Sequence, residues 1–384
     1  MWIFARRLDP RRRGVFPDPV IASRPRGRLA RLLLGLLASA TIFVVAGEIL
    51  TRAFGIIDRL NGIPRRLYLA TSIPDLPYRL RPGVTVSIRD FTVHVNRYGL
   101  RGPEISGQPL DGRRRVLVLG DSVVYGEGLN EPDTFPVLLE QALNADGARP
   151  SEVLNGAAPG YNTEAELAYL REVGLALSPE TLVLGVSLND YGPAPGLTPF
   201  GFLTADPRER SQMPWLSNHS EFYMLVRWLI TYARGEHWYQ RVARAAPAAP
   251  RAPAPPAPSF ADRWPAMDRA IAMMHKHFYA APSGPGWESV RRALPGLRDA
   301  ARRRGLDLAV VIFPEKDQIE LPDPNLDPQR RWLALCEELE LRCLDLRPAF
   351  AAAAPEGPLF QDTQHPNAAG MRVAAREVAG FLRR

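Results

Sequence analysis

A serine, a histidine and an aspartate in the right order can make an acyl-transfer centre, and this 384-residue chain holds a candidate for each. Ser122 follows the apolar run Val116–Leu119 and the dipeptide Gly120-Asp121, which sets its hydroxyl at the carboxyl end of a buried strand. Backbone N–H groups at such a strand-to-helix turn are free to receive an anion. The same turn often carries Gly, Asp and Ser for capping alone, so the stretch needs partners. In "DTQHPNAAG" Asp362 and His365 stand three residues apart, on one side of a predicted helical turn before Pro366 opens the last helix. His365 is the candidate general base, and Asp362 would fix its tautomer. The loop "NGAAPGYNT" offers a backbone N–H from Gly160, and "LND" offers the side-chain amide of Asn189 for a developing oxyanion.

These groups must converge on one edge of a sheet. From Arg115 onward short apolar runs (Val116–Gly120, Glu152–Gly156, Leu182–Ser187, Leu308–Phe313, Arg342–Leu346) alternate with helical stretches (Thr134–Leu143, Thr163–Gly174, Trp287–Arg304, Pro328–Leu339, Asn367–Leu382). That rhythm predicts a three-layer α/β/α sandwich on a parallel five-stranded sheet. In the flavodoxin-like strand order 2-1-3-4-5, Ser122 and Asn189 border the switch-point crevice. Residues 191–282 interrupt the rhythm with the Pro/Ala tract Ala246–Phe260, expected to be an extended linker, flanked by helical Glu221–Arg234 and Pro265–Tyr279. The insertion reads as a cap over the site or as a solvent-exposed excursion.

Other chemistry-bearing residues weigh less. Ser187 in "GVSLN" superficially resembles a nucleophile elbow, but its second glycine is Asn189 and it lies within a strand. His275 and His277 point to different helix faces, and the two cysteines form no CxxC, so no metal site is expected. Glu315 and Lys316 read as a solvated loop at the same sheet edge, with substrate contact as the alternative. Cys336 and Cys343 are expected on a helix and at a strand start, where two buried thiols suit the pattern better than a disulfide.

The net charge of +7 is explained by residues 1–31 alone, where nine arginines face two aspartates. Its location removes the charge argument for nucleic acid as a partner. After this basic tail, Leu32–Leu50 is long and apolar enough for a transmembrane anchor. The arginines before it place the tail in the cytoplasm and the rest of the chain outside, so the expected location is a bacterial inner membrane with a periplasmic catalytic domain. Ala38-Ser39-Ala40 resembles a signal-peptidase site, but cleavage there would leave an apolar new terminus. Residues 51–114 form a juxtamembrane segment, an irregular spacer over Asp58–Pro82 followed by an alternating β-hairpin over Val84–Asn96. The catalytic domain spans 115–384.

With all four blocks in order, the chain from about Arg115 to Arg384 resembles the SGNH/GDSL hydrolases. "GDSV" matches the nucleophile block, "NGAAPG" the glycine block, "LND" the asparagine block and "DTQHP" the Asp/His block. Val123 replaces a frequent leucine, and Ser187 stands where the third block usually has glycine. Gly156 competes with Gly160 for the glycine role. The resemblance implies Ser122 as nucleophile with His365 and Asp362. It also implies an oxyanion hole made by the Ser122 and Gly160 backbone N–H groups and the Asn189 side chain. The implied activity is hydrolysis of carboxylic esters through an acyl-enzyme, with no cofactor. An acylated carbohydrate or small molecule, carrying short acyl groups, is the expected substrate. O-acyl transfer to a sugar and a non-catalytic glycan-binding role are the alternatives.

Overall fold

The structure, a computed structural model, describes residues 25–57, 67–88, 91–109, 112–145, 149–187, 190, 194, 196–197, 203–204, 216, 219–233 and 285–384. Residues 1–24 of the basic tail, the Pro/Ala tract, Pro265–Tyr279 and Asn189 lie outside the described residues.

The first element is helix α1, Pro25–Ala53. Within it, the most apolar 18-residue window of Leu29–Ala53 has mean hydropathy 2.2 and none of it is buried, and the segment's length and composition suffice to cross a membrane. Leu32, Leu36, Ile42 and Phe43 are each about two-thirds exposed, as a core helix never is.

Two antiparallel pairs follow: β1 (Tyr68–Ile73) with β2 (Leu76–Leu80), and β3 (Thr85–Ile88) with β4 (Phe91–His94). The second is the hairpin that the alternation predicts. The first corrects the irregular spacer: the alternation is present in "LPYRL", where Leu76, Tyr78 and Leu80 are buried. Proline at position 77 masks the pattern without breaking it, since a two-stranded ribbon tolerates a missing N–H.

The main domain is built on five parallel strands: β5 (Arg114–Gly120), β6 (Ser151–Asn155), β7 (Thr181–Val186), β10 (Asp307–Ile312) and β11 (Arg342–Asp345). Their spatial order β11-β10-β7-β5-β6 is the expected one, read from the other edge. Val116–Leu119 and Val183, Leu184 and Val186 are wholly buried, as strands covered on both faces must be. Helices α3 (Phe135–Asn144) and α10 (Ala368–Leu382) pack together, as do α4 (Thr163–Glu172) and α6 (Pro285–Arg303). These pairs supply the outer layers of the predicted three-layer α/β/α sandwich. Between them stands the short helix α2 (Ser122–Tyr125).

Of the insertion, the described parts are the two-residue strands β8 (Gly196–Leu197) and β9 (Leu203–Thr204), and helix α5 (Glu221–Ala233). α5 packs on α1.

Near the C-terminus come α7 (Lys316–Glu320), α8 (Asp327–Glu338) and α9 (Arg347–Ala353). Cys336 in α8 and Cys343 in β11 form a disulfide with their Cα atoms 6.2 Å apart. This corrects the expectation of free thiols: the turn at 339–341, closed by Leu341 N–H donating to the Cys336 carbonyl at 2.8 Å, brings the strand start back to the helix end.

Candidate active site

Ser122 stands at the carboxyl end of the central strand β5 because the sheet is cut away there. Gly120 pairs in register with Gly185 of β7. A Cβ on Gly120 would come within 2.7 Å of the Gly185 carbonyl, and one on either glycine would collide with Val124. The two glycines therefore let α2 settle directly onto the sheet end. Asp121 caps α2, accepting from Val123 N–H at 2.9 Å through one oxygen and from the Ser187 hydroxyl at 2.7 Å through the other. Ser187, 2% exposed, is thus committed to Asp121, and the rival nucleophile is out of play.

Ser122 Oγ lies 2.9 Å from His365 Nε2, and His365 Nδ1 lies 2.8 Å from Asp362 Oδ2. The other Asp362 oxygen accepts from the backbone N–H of Gln364 at 2.8 Å and of His365 at 2.6 Å. An ionised Asp362 loaded in this way accepts a hydrogen bond from Nδ1–H and so keeps the ring proton on that nitrogen, which leaves Nε2 as the acceptor for the serine proton. The predicted helical turn is replaced by this tight carboxylate-centred loop. Pro366 pairs with Phe360 in an isolated bridge, and Asn367, not the proline, caps α10 by accepting from Ala369 and Gly370 N–H.

Electrostatics bind the pair together. Burial favours the neutral form of Asp362, but the charge and hydrogen bonds of His365, with the two backbone donors, hold its carboxyl below the usual range. Burial opposes the imidazolium of His365. The Asp362 charge and hydrogen bond, aided by Glu127 and Asp121, outweigh it and push His365 up to about 9.

Gly160 sits in a turn on the same sheet edge with φ +80°, a left-handed conformation that favours glycine. The loop is tied to the strand before Ser122 by Ala158 N–H donating to the Gly120 carbonyl at 3.3 Å. Gly156 is buried against Leu117, Leu119 and Tyr169, a packing role. Asn189 falls outside the described residues, while its neighbours are placed: Ser187 on Asp121, and Asp190 N–H on the Ser187 carbonyl at 3.2 Å.

Several residues that hold the site escaped the sequence reading. Arg101, 3% exposed, donates to the carbonyls of Tyr125 (3.0 Å), Gly126 (2.8 Å) and Leu129, just past α2, with its guanidinium carbon 4.6 Å from the Tyr125 ring centre. Tyr78 of β2 donates to the Pro159 carbonyl at 2.5 Å, and Tyr161 returns a bond to the Tyr78 carbonyl at 2.8 Å. The segment 67–101 thus braces both the Ser122 turn and the Gly160 turn. Lys316 N–H donates to the Thr363 carbonyl at 3.0 Å, and a reciprocal cap between Glu315 and Gln318 opens α7. "PEKDQ" is therefore a helix start that supports the Asp362–His365 loop and not a solvated loop.

Behind Asp121 lie two fully buried carboxyl groups, Glu166 and Asp190, whose oxygens have no hydrogen-bond partners among the described residues. Burial raises both well above the carboxylate range. The Glu166 and Asp121 charges add to this at Asp190 and the Asp121 charge at Glu166, so both carboxyl groups favour the protonated form in the fold. Among the described residues no group of three or more His, Cys, Asp or Glu is arranged to hold a metal ion.

No protein-family model and no curated protein matches the sequence. Solved structures with a similar course of chain include TesA, at 14% identity and a TM-score of 0.38, covering 70% of this chain and 98% of that one. A lipolytic protein of the G-D-S-L family from Veillonella parvula is 11% identical, with a TM-score of 0.37 over 71% of this chain and 99% of its own. A catalytic mutant of Axe2, an acetylxylan esterase from Geobacillus stearothermophilus, is 14% identical, with a TM-score of 0.38 over 70% and 94%. At such scores the likeness by itself carries no functional argument, and the site must be read from its own geometry.

Proposed function

We propose that the chain is a membrane-anchored serine hydrolase of the SGNH/GDSL type that cleaves carboxylic esters through an acyl-enzyme on Ser122. The observation that carries this reading is the continuous relay from Ser122 Oγ through His365 to Asp362, at 2.9 and 2.8 Å. The Ser122 oxygen attacks the ester carbonyl carbon while His365 Nε2 takes its proton, and Asp362 stabilises the imidazolium that forms. The carbonyl oxygen becomes an oxyanion, received by the backbone N–H groups of Ser122 and Gly160 and by the Asn189 side chain. Collapse expels the alcohol, which takes the proton from His365. Water then repeats the cycle and frees the acid and Ser122.

α1 is the anchor in this reading, and the arginines before it put the catalytic domain on the outer face of a bacterial inner membrane. A hydrolase held there meets acylated envelope carbohydrates, so short acyl groups on a glycan or similar polyol are the proposed substrate. The test is p-nitrophenol release from p-nitrophenyl acetate by the full chain in detergent, beside Ser122→Ala. A stoichiometric burst followed by turnover, both lost in the variant, supports the reading. Equal traces for the two proteins would sink it.

A further inference from the structure

Helix α5 is joined to α1 by a specific seam. The α1 carboxylate of Glu48 accepts from the Ser220 hydroxyl at 2.7 Å and from the N–H groups of Glu221 (3.1 Å) and Phe222 (3.0 Å). One helix thereby satisfies the orphan donors at the start of another. Arg52 holds Glu48 at 2.5 Å and reaches the His219 carbonyl at 3.2 Å. The Phe222 ring meets Phe43 edge-on at 5.4 Å and lies over Gly47, where a Cβ would come within 2.6 Å of it. Contacts pass from Arg52 with His219, through Glu48 with Ser220, to Phe43 with Phe222. α5 therefore sets off back along α1, toward its N-terminal end.

Past this seam the same face of α5 continues apolar and uncovered. Phe222, Val226, Leu229 and Ile230 fall at i, i+4, i+7 and i+8, a single helical stripe. Val226 is 36% exposed, Leu229 50% and Ile230 47%. Arg227 lies about 60° round the helix from Ile230, on the flank of the stripe. α1, along which α5 runs, is equally bare, with Val44 and Val45 at half exposure and Leu36 at 67%. Two apolar surfaces joined by a built seam, one of them long enough to cross a bilayer, form one continuous surface for hydrocarbon.

We propose that the Val226–Leu229–Ile230 stripe of α5 is seated among the acyl chains of the bilayer beside α1, making the insertion a second point of membrane contact. Glu48, Arg52 and Ser220 then mark the level of the headgroups, and the insertion is registered to the membrane surface. The inference rests on the anchor reading of α1.

Spin labels on the full chain in phosphatidylethanolamine/phosphatidylglycerol liposomes test it, at Leu229→Cys and Ile230→Cys, with Leu36→Cys and Arg302→Cys as references. Both native cysteines are paired, so the introduced thiol takes the label. Power saturation with oxygen and with a water-soluble nickel chelate distinguishes the surroundings. The expected result is oxygen relaxation at 229 and 230 that matches Leu36→Cys, with loss of the nickel relaxation seen at Arg302→Cys. Nickel relaxation like that of Arg302→Cys would place the stripe in water, and low relaxation by both reagents would place it against protein. Either overturns the proposal. Failure of the anchor reading would appear separately, as nickel access at Leu36→Cys itself.

Discussion

The guanidinium of Arg101 donates to the backbone carbonyl of Tyr125 at 3.0 Å while stacking on the same residue's ring, so an arginine from the segment before the sandwich fixes the end of the helix that carries Ser122. The three carbonyls it serves belong to the last residue of α2 and the turn that follows it, and no neighbour replaces a planar fork with donors in three directions. Arg101→Met orphans them. We expect a stability loss of about 3 kcal/mol, by the ordinary cost of buried groups deprived of charged partners. We also expect a fall in kcat at temperatures where the variant stays folded. Arg101→Lys, a point charge, should rescue stability in part and kcat less. Urea unfolding and steady-state kinetics on the two variants check both, and unchanged kcat in a folded Arg101→Met would show that the brace does not reach Ser122.

The raised affinity of His365 for a proton sets the pH profile. Only the neutral imidazole accepts the Ser122 proton, so kcat/KM should rise with pH and reach half its plateau near 9. Asp362→Asn removes the charge and the hydrogen bond responsible. Its profile should move to lower pH, and its kcat should fall by about 10³–10⁴-fold, as when a triad loses the group that fixes the tautomer. A half-point near 6.5 in the wild type would mean that Asp362 does not govern His365.

The same pair has an opposite signature in stability. His365 binds its proton more tightly folded than unfolded, so its contribution is complete below about 6.5 and is lost as pH rises through 9. Asp362, held low, contributes above about 3.9 and loses that contribution as pH falls. Thermal unfolding across pH should therefore show the pair's stabilisation greatest between these limits, while activity is highest where it fades. Asp362→Asn should flatten the alkaline limb.

The sequence announces the Ser122–His365–Asp362 grouping far better than its supports. Ser122, Asp362 and His365 are legible because acyl transfer tolerates few residue types, and the five strands because burial on both faces demands continuous apolar runs. Arg101 and Tyr78 are silent in sequence: a buried arginine on backbone carbonyls has no spacing rule, and a tyrosine serves as readily for packing as for its hydroxyl. The disulfide was missed for a related reason, since a seven-residue separation fits a helix end and a strand start whether or not the chain folds back.

Glu166 offers a prediction of stabilisation. Its carboxyl is protonated in the fold because burial, with the Asp121 charge, holds it so, but it ionises in the unfolded chain above about 4.3. Unfolding then releases a proton, and above that pH each further unit costs the wild type about 1.4 kcal/mol until the folded carboxyl also ionises. Glu166→Gln removes this slope. Its stability relative to wild type should climb with pH, and a constant difference between pH 5 and 8 would mean that Glu166 is ionised in place.

The disulfide can be tested apart from catalysis. Cys343 lies near the start of β11, at the opposite end of the sheet from Ser122, so its removal should leave the site intact. Closing so short a loop restrains the unfolded chain by about 2.5 kcal/mol in the chain-entropy model. A variant carrying both Cys336→Ser and Cys343→Ser should therefore unfold at lower urea with unchanged kcat at 25 °C. Reductant should reproduce the shift in the wild type and do nothing further to the variant, whereas a reductant effect on both would place its action elsewhere than at this bond.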